Sequence, residues 1–368
     1  MRLARRPRRL AVRRHPAHLR RRGRARRRPD GGRAPVTRPR GGPVMKILVA
    51  LILAIALAVP AAAQQPVTLS IATLDTGSAW YVYGATMAEL LRKALPAGST
   101  VDVKPFAGGV GNAKLVARNE TPLGLSFTVT NRWAFEGKEA YDTRLENLRA
   151  LAGGLDTYYL VAVAAKKANI ASLRDIREKK IGVRIFTQPV GSLGEFGGRQ
   201  LLRAYGLSYA DIKSWGGSTT HVGYNIIIDA FKDGRADMLL AVVTPKHPSV
   251  SEIATFTDVA FLPIDEEAVK QLTPLGYTTA TMPANTFKNQ PEPVRTVGFP
   301  TVVITNKDLP EPVAYTITKT LIDNKEALVR GHAGLAAFDP QTAWRPERVG
   351  IPLHPGAERA YREKGWLK

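Results

Sequence analysis

The sequence predicts an α/β protein of two lobes with a ligand cleft at the hinge between them. Three observations predict it. From Val67 onward, short β-branched apolar runs alternate with patterns of helical period, as strands covered by helices do. A second β/α series begins near Ser172, after the apolar run Tyr158–Ala164. Loops of small residues follow several strands and open helices, which puts them at the carboxyl ends of strands, where ligands bind in open α/β sheets.

The elements follow in order. Val67–Thr73 reads as a strand and Asp75–Ser78 as a turn. Ala79–Leu95 reads as a helix with Met87, Leu90, Leu91 and Leu95 on one face, ended by Pro96. Thr100–Pro105 is a second strand, Gly108–Asn112 a glycine-rich turn into a short helix, and Leu123–Thr128 a third strand. Tyr158–Ala164 is a further buried strand. The second series runs through a short helix at Ser172–Glu178, a strand at Lys180–Phe186 and a helix at Ser192–Tyr205 stopped by Gly206. A helix at Val222–Lys232 and a strand at Met238–Val243 follow. Phe299–Thr305 reads as one long apolar strand and Pro310–Val329 as one long helix. The expected division is a first lobe of 64–165 with 296–368, and a second lobe of 166–295.

Ahead of this body stand two segments of different character. The chain has 368 residues and a formal charge of +22, but residues 1–44 carry 17 arginines, no lysine and a single acid, Asp30; the rest is only mildly basic. Such a stretch buries too little apolar surface to fold alone. It reads as a disordered tail: a nucleic-acid arm, a transit peptide or, the reading favoured here, translated sequence upstream of a start at Met45. Residues 45–63 have the parts of a signal peptide: Lys46, an apolar stretch from Ile47 to Val59, and Ala61-Ala62-Ala63 before Gln64. A membrane anchor is the alternative, but the run to Ala63 is 17 residues, is interrupted by Pro60 and is at the short limit for a bilayer span. There is no cysteine, which excludes disulfides, thiol catalysis, thiolate metal sites and a lipoprotein anchor. The expectation is a freely diffusing periplasmic monomer, with no nucleic-acid partner in its folded body.

No catalytic set is legible. His221, His247, His332 and His354 are in no zinc-binding spacing. Gly108-Gly109-Val110-Gly111 is neither a dinucleotide fingerprint nor a Walker loop, and there is no G-x-S-x-G elbow. The chain reads as no enzyme and as needing no cofactor. What recurs is the loop that opens a helix: Asp75-Thr76-Gly77-Ser78, Gly108–Asn112 and Thr187–Ser192. Helix N-termini expose unpaired N–H groups and a positive dipole end, and glycine admits a ligand close to the backbone. Several such loops on one cleft favour a small organic anion such as a carboxylate. The candidate ligand-binding residues are Thr76, Gly77, Ser78, Trp80 and Tyr81 in the first loop, and Gly108, Gly109 and Asn112 in the second. Gly191 and Ser192 belong to the third, and Lys246 and His247, between Pro245 and Pro248, supply a possible counter-charge. Plain helix capping also accounts for part of this, since Ser192 and Glu195 have capping-box spacing.

The run Leu353-His354-Pro355-Gly356-Ala357-Glu358-Arg359-Ala360-Tyr361-Arg362-Glu363-Lys364-Gly365 resembles the L-H-P-G-A-E-R-Y-Y-R-E-K-G ending of the TAXI family, solute receptors of tripartite ATP-independent periplasmic (TRAP) transporters. Ala280–Phe287, Asp308–Glu311 with Tyr315–Lys319, Gly77–Gly84 and Pro189–Glu195 resemble further segments of that family. The resemblance spans about Val67 to Trp366. It implies a type II periplasmic-binding-protein fold whose lobes close on a small carboxylate, such as an amino acid or keto acid, and a TRAP-type permease as partner. By position it assigns Thr76, Gly77, Ser78 and Tyr81, then Gly108, Gly109 and Asn112, then Gly191, Ser192 and Glu195, to three binding loops. Ala79, Trp80 and Thr244-Pro245-Lys246-His247-Pro248 depart from the family pattern, and all lie at the expected cleft. A receptor for an ABC importer or a sensor kinase, or an enzyme on the same fold, are the alternatives.

Overall fold

In the computed structural model the described residues are 65–106 and 108–368. The arginine-rich segment 1–44 and the signal-like segment 45–63 lie outside them. The first strand, β1 (Thr68–Thr73), leads through Ser78 into α1 (Ala79–Ala94). Then come β2 (Thr100–Pro105), α2 (Gly109–Ala117), β3 (Leu123–Phe127), α3 (Thr128–Glu136) and β4 (Leu148–Ala152). The chain crosses into a second sheet at β5 (Tyr158–Ala165), followed by α4 (Leu173–Glu178), β6 (Arg184–Thr187), α5 (Leu193–Ala204), α6 (Tyr209–Ser214) and β7 (Ser218–His221). The second sheet continues through α7 (Tyr224–Lys232), β8 (Met238–Val243), α8 (Pro248–Phe256), β9 (Val259–Leu262), α9 (Glu266–Leu272), β10 (Thr278–Met282) and β11 (Val294–Phe299). The chain then returns as β12 (Thr301–Asn306), with α10 (Glu311–Asp323), α11 (Lys325–Gly331), α12 (Pro346–Val349) and α13 (Pro355–Glu363).

The strands make two mixed sheets. The first has the order β2-β1-β3-β12-β4; the second runs β10-β11-β5-β8-β6-β7, with β9 also on β5. In the first, β1 is parallel to β2 and β3, while β12 enters antiparallel between β3 and β4. In the second, β6 is parallel to β7 and β8, and β5 is antiparallel to β8, β9 and β11. This is the mixed α/β architecture of two sheets that the alternation of strand and helix patterns predicts.

Apart from shifted element ends, such as the strand expected over Lys180–Phe186 and found over Arg184–Thr187, three expectations differ from the structure. Residues 158–165 and 296–299, expected with the first lobe, pair within the second sheet. The run Tyr158–Ala165 is buried along its whole length, which suits a central strand of either sheet, so partner strands alone decide its place. The single strand expected over Phe299–Thr305 is two strands in different sheets, parted at Pro300: Phe299 pairs with Tyr158 and Thr301 with Phe127. Proline has no N–H to offer a ladder. The long helix expected over Pro310–Val329 is broken at Asn324, whose side-chain amide donates to the Thr320 carbonyl at 2.8 Å, a local bond that competes with helix continuation.

Two segments cross between the sheets, 153–157 and Pro300. They are tied together, since the Thr301 N–H donates to Asp156 Oδ1 at 2.9 Å. The C-terminal elements pack on the first sheet. His354 caps α13, its Nδ1 accepting from the Gly356 N–H at 3.1 Å. The Tyr361 hydroxyl donates to the Leu151 carbonyl at 3.1 Å.

Candidate functional site

The site is built from helix beginnings. They are the starts of α1, α2, α5, α7 and α8, which follow β1, β2, β6, β7 and β8 in the chain. Ser78 caps α1, its hydroxyl accepting from the Tyr81 N–H at 3.2 Å. Ser192 caps α5 in the same way through the Glu195 N–H at 3.1 Å. Gly108 opens α2 with φ 87° and no side-chain cap; that left-handed backbone is one a glycine reaches without strain. The first N–H of α7, on Tyr224, donates to Asp75 Oδ2 at 2.7 Å. His247 opens α8 with Pro248 in the first turn and no side-chain cap.

These five helix N-termini, two from the first sheet's helices and three from the second's, converge on one enclosed cavity of about 20 Å³, room for about one water molecule. Its walls include Ser78, Trp80, Gly108, Gly109, Ser192 and His247, six of the residues singled out in the sequence. The aromatic side is Trp80, Phe127, Tyr158 and Tyr224, with Trp80 and Phe127 ring centres 4.4 Å apart. The Trp80 Nε1–H is spent on Thr301 Oγ1 at 2.9 Å, so the indole meets the cavity as an apolar face.

Two buried polar side chains on the wall have no partner among the described residues: Gln188, at both ends of its amide, and His247, at Nδ1. Buried polar groups are nearly always paired. Burial holds the His247 imidazole down to about 3, with a smaller push from His332, so the ring is neutral. Gln188 is held in place by Gly194, because a Cβ there would run into Gln188 Oε1. Among the described residues no lysine, arginine, aspartate or glutamate lines the cavity.

The remaining singled-out residues stand elsewhere. Thr76 is exposed and Tyr81 half-buried. Gly77 lies against the other lobe, where a Cβ would stand 2.9 Å from Ser249 Oγ and 3.0 Å from Tyr224 Cβ. Asn112 is fully buried and its amide donates to the carbonyls of Ala72, Thr73 and Leu125 at 2.9–3.1 Å, which stitches α2 to β1 and β3. The Gly191 carbonyl accepts from the Gly111 N–H at 2.9 Å. Lys246 is exposed, with φ 63°. Glu195 is buried and paired with Arg199 at 2.5 Å. Sequence reasoning missed Gln188, Phe127, Tyr158 and Tyr224. The available signal was position, since each stands at a strand end or a helix start.

The lobes are drawn together by hydrogen bonds around this cavity. Besides Asp75 with Tyr224, and Gly111 with Gly191, the Ser249 hydroxyl donates to the Gly77 carbonyl at 2.6 Å and the Trp133 indole to the Leu275 carbonyl at 2.6 Å. The Gln200 amide donates to Glu139 Oε2 at 2.9 Å. A larger groove of about 690 Å³ lies among α3, α12 and α13, lined by residues such as Arg132, Trp344 and Arg362. It gathers no set of helix N-termini, so the enclosed cavity is the better candidate. Among the described residues no cluster of His, Asp and Glu is arranged to hold a metal ion, and no helix is long and apolar enough to cross a membrane.

A family profile described as the NMT1-like family matches residues 71–365. Among solved structures, MatC (Rpa3494) from Rhodopseudomonas palustris with bound malate is similar at 15% identity and TM-score 0.48, covering 82% of this chain and 98% of that one. The periplasmic binding protein BugD is similar at 16% identity and TM-score 0.47, covering 82% and 95%. DctP7, a Bordetella pertussis extracytoplasmic solute receptor binding pyroglutamic acid, is similar at 13% identity and TM-score 0.41, covering 82% and 94%.

Proposed function

The chain belongs to the NMT1-like family, and from that premise we propose that it is a periplasmic solute-binding receptor that closes two lobes over a small organic anion. The observation that carries the reading is the convergence of five helix N-termini, from both lobes, on one enclosed cavity. Aligned peptide dipoles and unpaired N–H groups make such ends anion sites. The start of α2 at Gly108 and Gly109, which has no side-chain cap, is the docking point for the carboxylate. Ser78 and Ser192 flank it, while Trp80, Tyr224, Gln188 and His247 hold the rest of the solute.

The cavity admits about one water molecule, so a solute of several heavy atoms both enters by opening of the lobes and is held with them wider apart than they stand in this structure. Rotation at the crossing segments 153–157 and Pro300 opens them without disturbing either sheet. Contacts from both lobes make the closed state the one a solute favours. The proposed division puts β5 to β11 in the second lobe and the remainder of the described chain in the first. The resemblance of the C-terminal run to the TAXI family supports a TRAP-type permease as the partner that receives the solute. It also supports export from a start at Met45 with cleavage near Gln64, which mass spectrometry of the exported protein's N-terminus tests.

Thermal unfolding of the purified protein against a panel of carboxylates and neutral sugars tests the receptor reading. A solute at about 100 times its dissociation constant adds roughly 2.7 kcal/mol of stability. Stabilisation by carboxylates is expected; stabilisation by neutral sugars alone would overturn the anion assignment.

A further inference from the structure

We propose that the solute is a monoanion: one carboxylate at the α2 N-terminus, and a neutral planar tail that sets a hydrogen-bond donor beside an acceptor, as an amide, lactam or ureide does, against Gln188. The inference rests on the reading of the cavity as the solute site and narrows the solute class.

Two chemically different groups line the cavity. One is Gly108 and Gly109, backbone without a side-chain cap at the start of a nine-residue helix. The other is Gln188, fully buried, its Nε2 and Oε1 both without partners among the described residues. A primary amide with both faces unspent is complementary to a group that gives one hydrogen bond and takes one. A second carboxylate accepts only. It would pair with Nε2 and leave Oε1 facing negative charge.

Beside Gln188, the described side chains of the wall carry no charge that compensates a second anion. His247, the other unpartnered group, is neutral, and its Nδ1 either accepts or donates one bond depending on tautomer. Among the described residues no cationic side chain lines the cavity. The helix end at Tyr224 is already met by the Asp75 carboxylate, which adds a negative charge close by. Burying an unpaired carboxylate is far costlier than burying an amide whose bonds are made. A planar tail also suits the aromatic part of the wall, where Trp80, Phe127, Tyr158 and Tyr224 offer ring surface.

Calorimetry on the purified protein tests this with two probe sets of matched size. The first holds monocarboxylates with lactam or ureide tails, pyroglutamate and orotate; the second holds the dicarboxylates glutarate and isophthalate. Benzoate serves as a monocarboxylate without a polar tail. At least one probe of the first set is expected to bind tenfold or more tighter than every dicarboxylate. Gln188→Leu should remove most of that probe's advantage over benzoate. Equal or tighter binding of a dicarboxylate overturns the monoanion assignment and leaves the receptor reading standing, as does an unchanged preference in Gln188→Leu. No binding by any of these carboxylates overturns both.

Discussion

The Asp75 carboxylate, on the loop after β1, accepts from the backbone N–H of Tyr224, the first residue of α7 on the opposite lobe, at 2.7 Å. The protein thus supplies its own anion to one of the five helix ends. Burial raises the Asp75 carboxyl above its ordinary value and this bond pulls it back, so the bond is also what favours the charged form. Asp75→Ala should loosen closure. A charge-assisted bond is worth about 1.5–3 kcal/mol when buried; this one is partly exposed, so about 1 kcal/mol, or roughly fivefold in solute affinity, is expected. Small-angle scattering should show a more open protein, and an unchanged profile with unchanged affinity would refute the latch.

Gly194→Ala should empty the Gln188 position. The added methyl meets the far end of a flexible side chain, so the fold should survive while the amide leaves the cavity. Solute affinity should fall at least tenfold with unaltered circular dichroism. Native affinity in this variant would show that Gln188 contributes nothing to binding.

Asp156 and His247 should bend the stability profile in opposite directions. Burial pushes the Asp156 carboxyl up to about 7, against the pull of its bonds from Thr301 and Tyr83. A raised carboxyl means that the folded state binds the proton more tightly than the unfolded chain. Its contribution is therefore fully present below about pH 4, the unfolded value, and is lost as pH rises through about 7. His247 is held down to about 3. Its contribution is present above about pH 6.5 and falls as the pH drops towards 3. Asp156→Asn keeps an acceptor for the Thr301 N–H and should be more stable than the parent at pH 8, with the advantage gone below pH 4. Urea unfolding at both values reads this, and a pH-independent difference would contradict the assignment.

Lys246→Ala should leave affinity within about threefold, under 1 kcal/mol, because the side chain is exposed and outside the cavity wall. Ser78→Ala should differ. It removes a helix cap whose loss costs about 0.5–2 kcal/mol, and it lowers thermal stability as well as affinity. A large calorimetric effect of Lys246→Ala would restore it as a counter-charge.

Gly356→Ala should destabilise the protein without touching the cavity. A Cβ there would collide with the Glu311 carbonyl and stand 2.6 Å from the Tyr315 nitrogen, both backbone, so α13 must move off α10. Overpacking of this kind costs about 1–3 kcal/mol, readable as a lower urea midpoint. The same collision explains the strongest motif in the sequence. In Leu353-His354-Pro355-Gly356, histidine caps, proline starts the helix and glycine admits a neighbouring backbone. The motif marks the scaffold and says nothing of the solute.

Legibility in the sequence followed how local the cause was. Thr100–Pro105 and Met238–Val243 were readable to the residue, because alternation and burial are written in adjacent side chains. Tyr158–Ala165 was readable as a strand but not as belonging to the second sheet, because its partners lie up to 141 positions away in the chain. At the site, Ser78, Gly108 and Ser192 were legible as loop residues that open helices. Gln188 was not, since its unpaired amide is visible only once Gly194 and the cavity wall are assembled around it. Asn112 shows the converse: the right residue in the right loop, spent on three carbonyls.

The insertion of β12 between β3 and β4 carries a consequence for biogenesis. The second sheet is drawn from one uninterrupted stretch, Tyr158 to Phe299, and can be completed as soon as that stretch emerges. The first cannot, because β4 has no strand partner until Thr301–Asn306 arrives, about 150 residues later. Until then β3 and β4 each offer an open edge. A chain that leaves the cell interior N-terminus first would therefore complete its later half before its earlier one. A chain stopped before Thr301 would present the open edge of β3 and an unpaired β4 to whatever chaperone or protease met it.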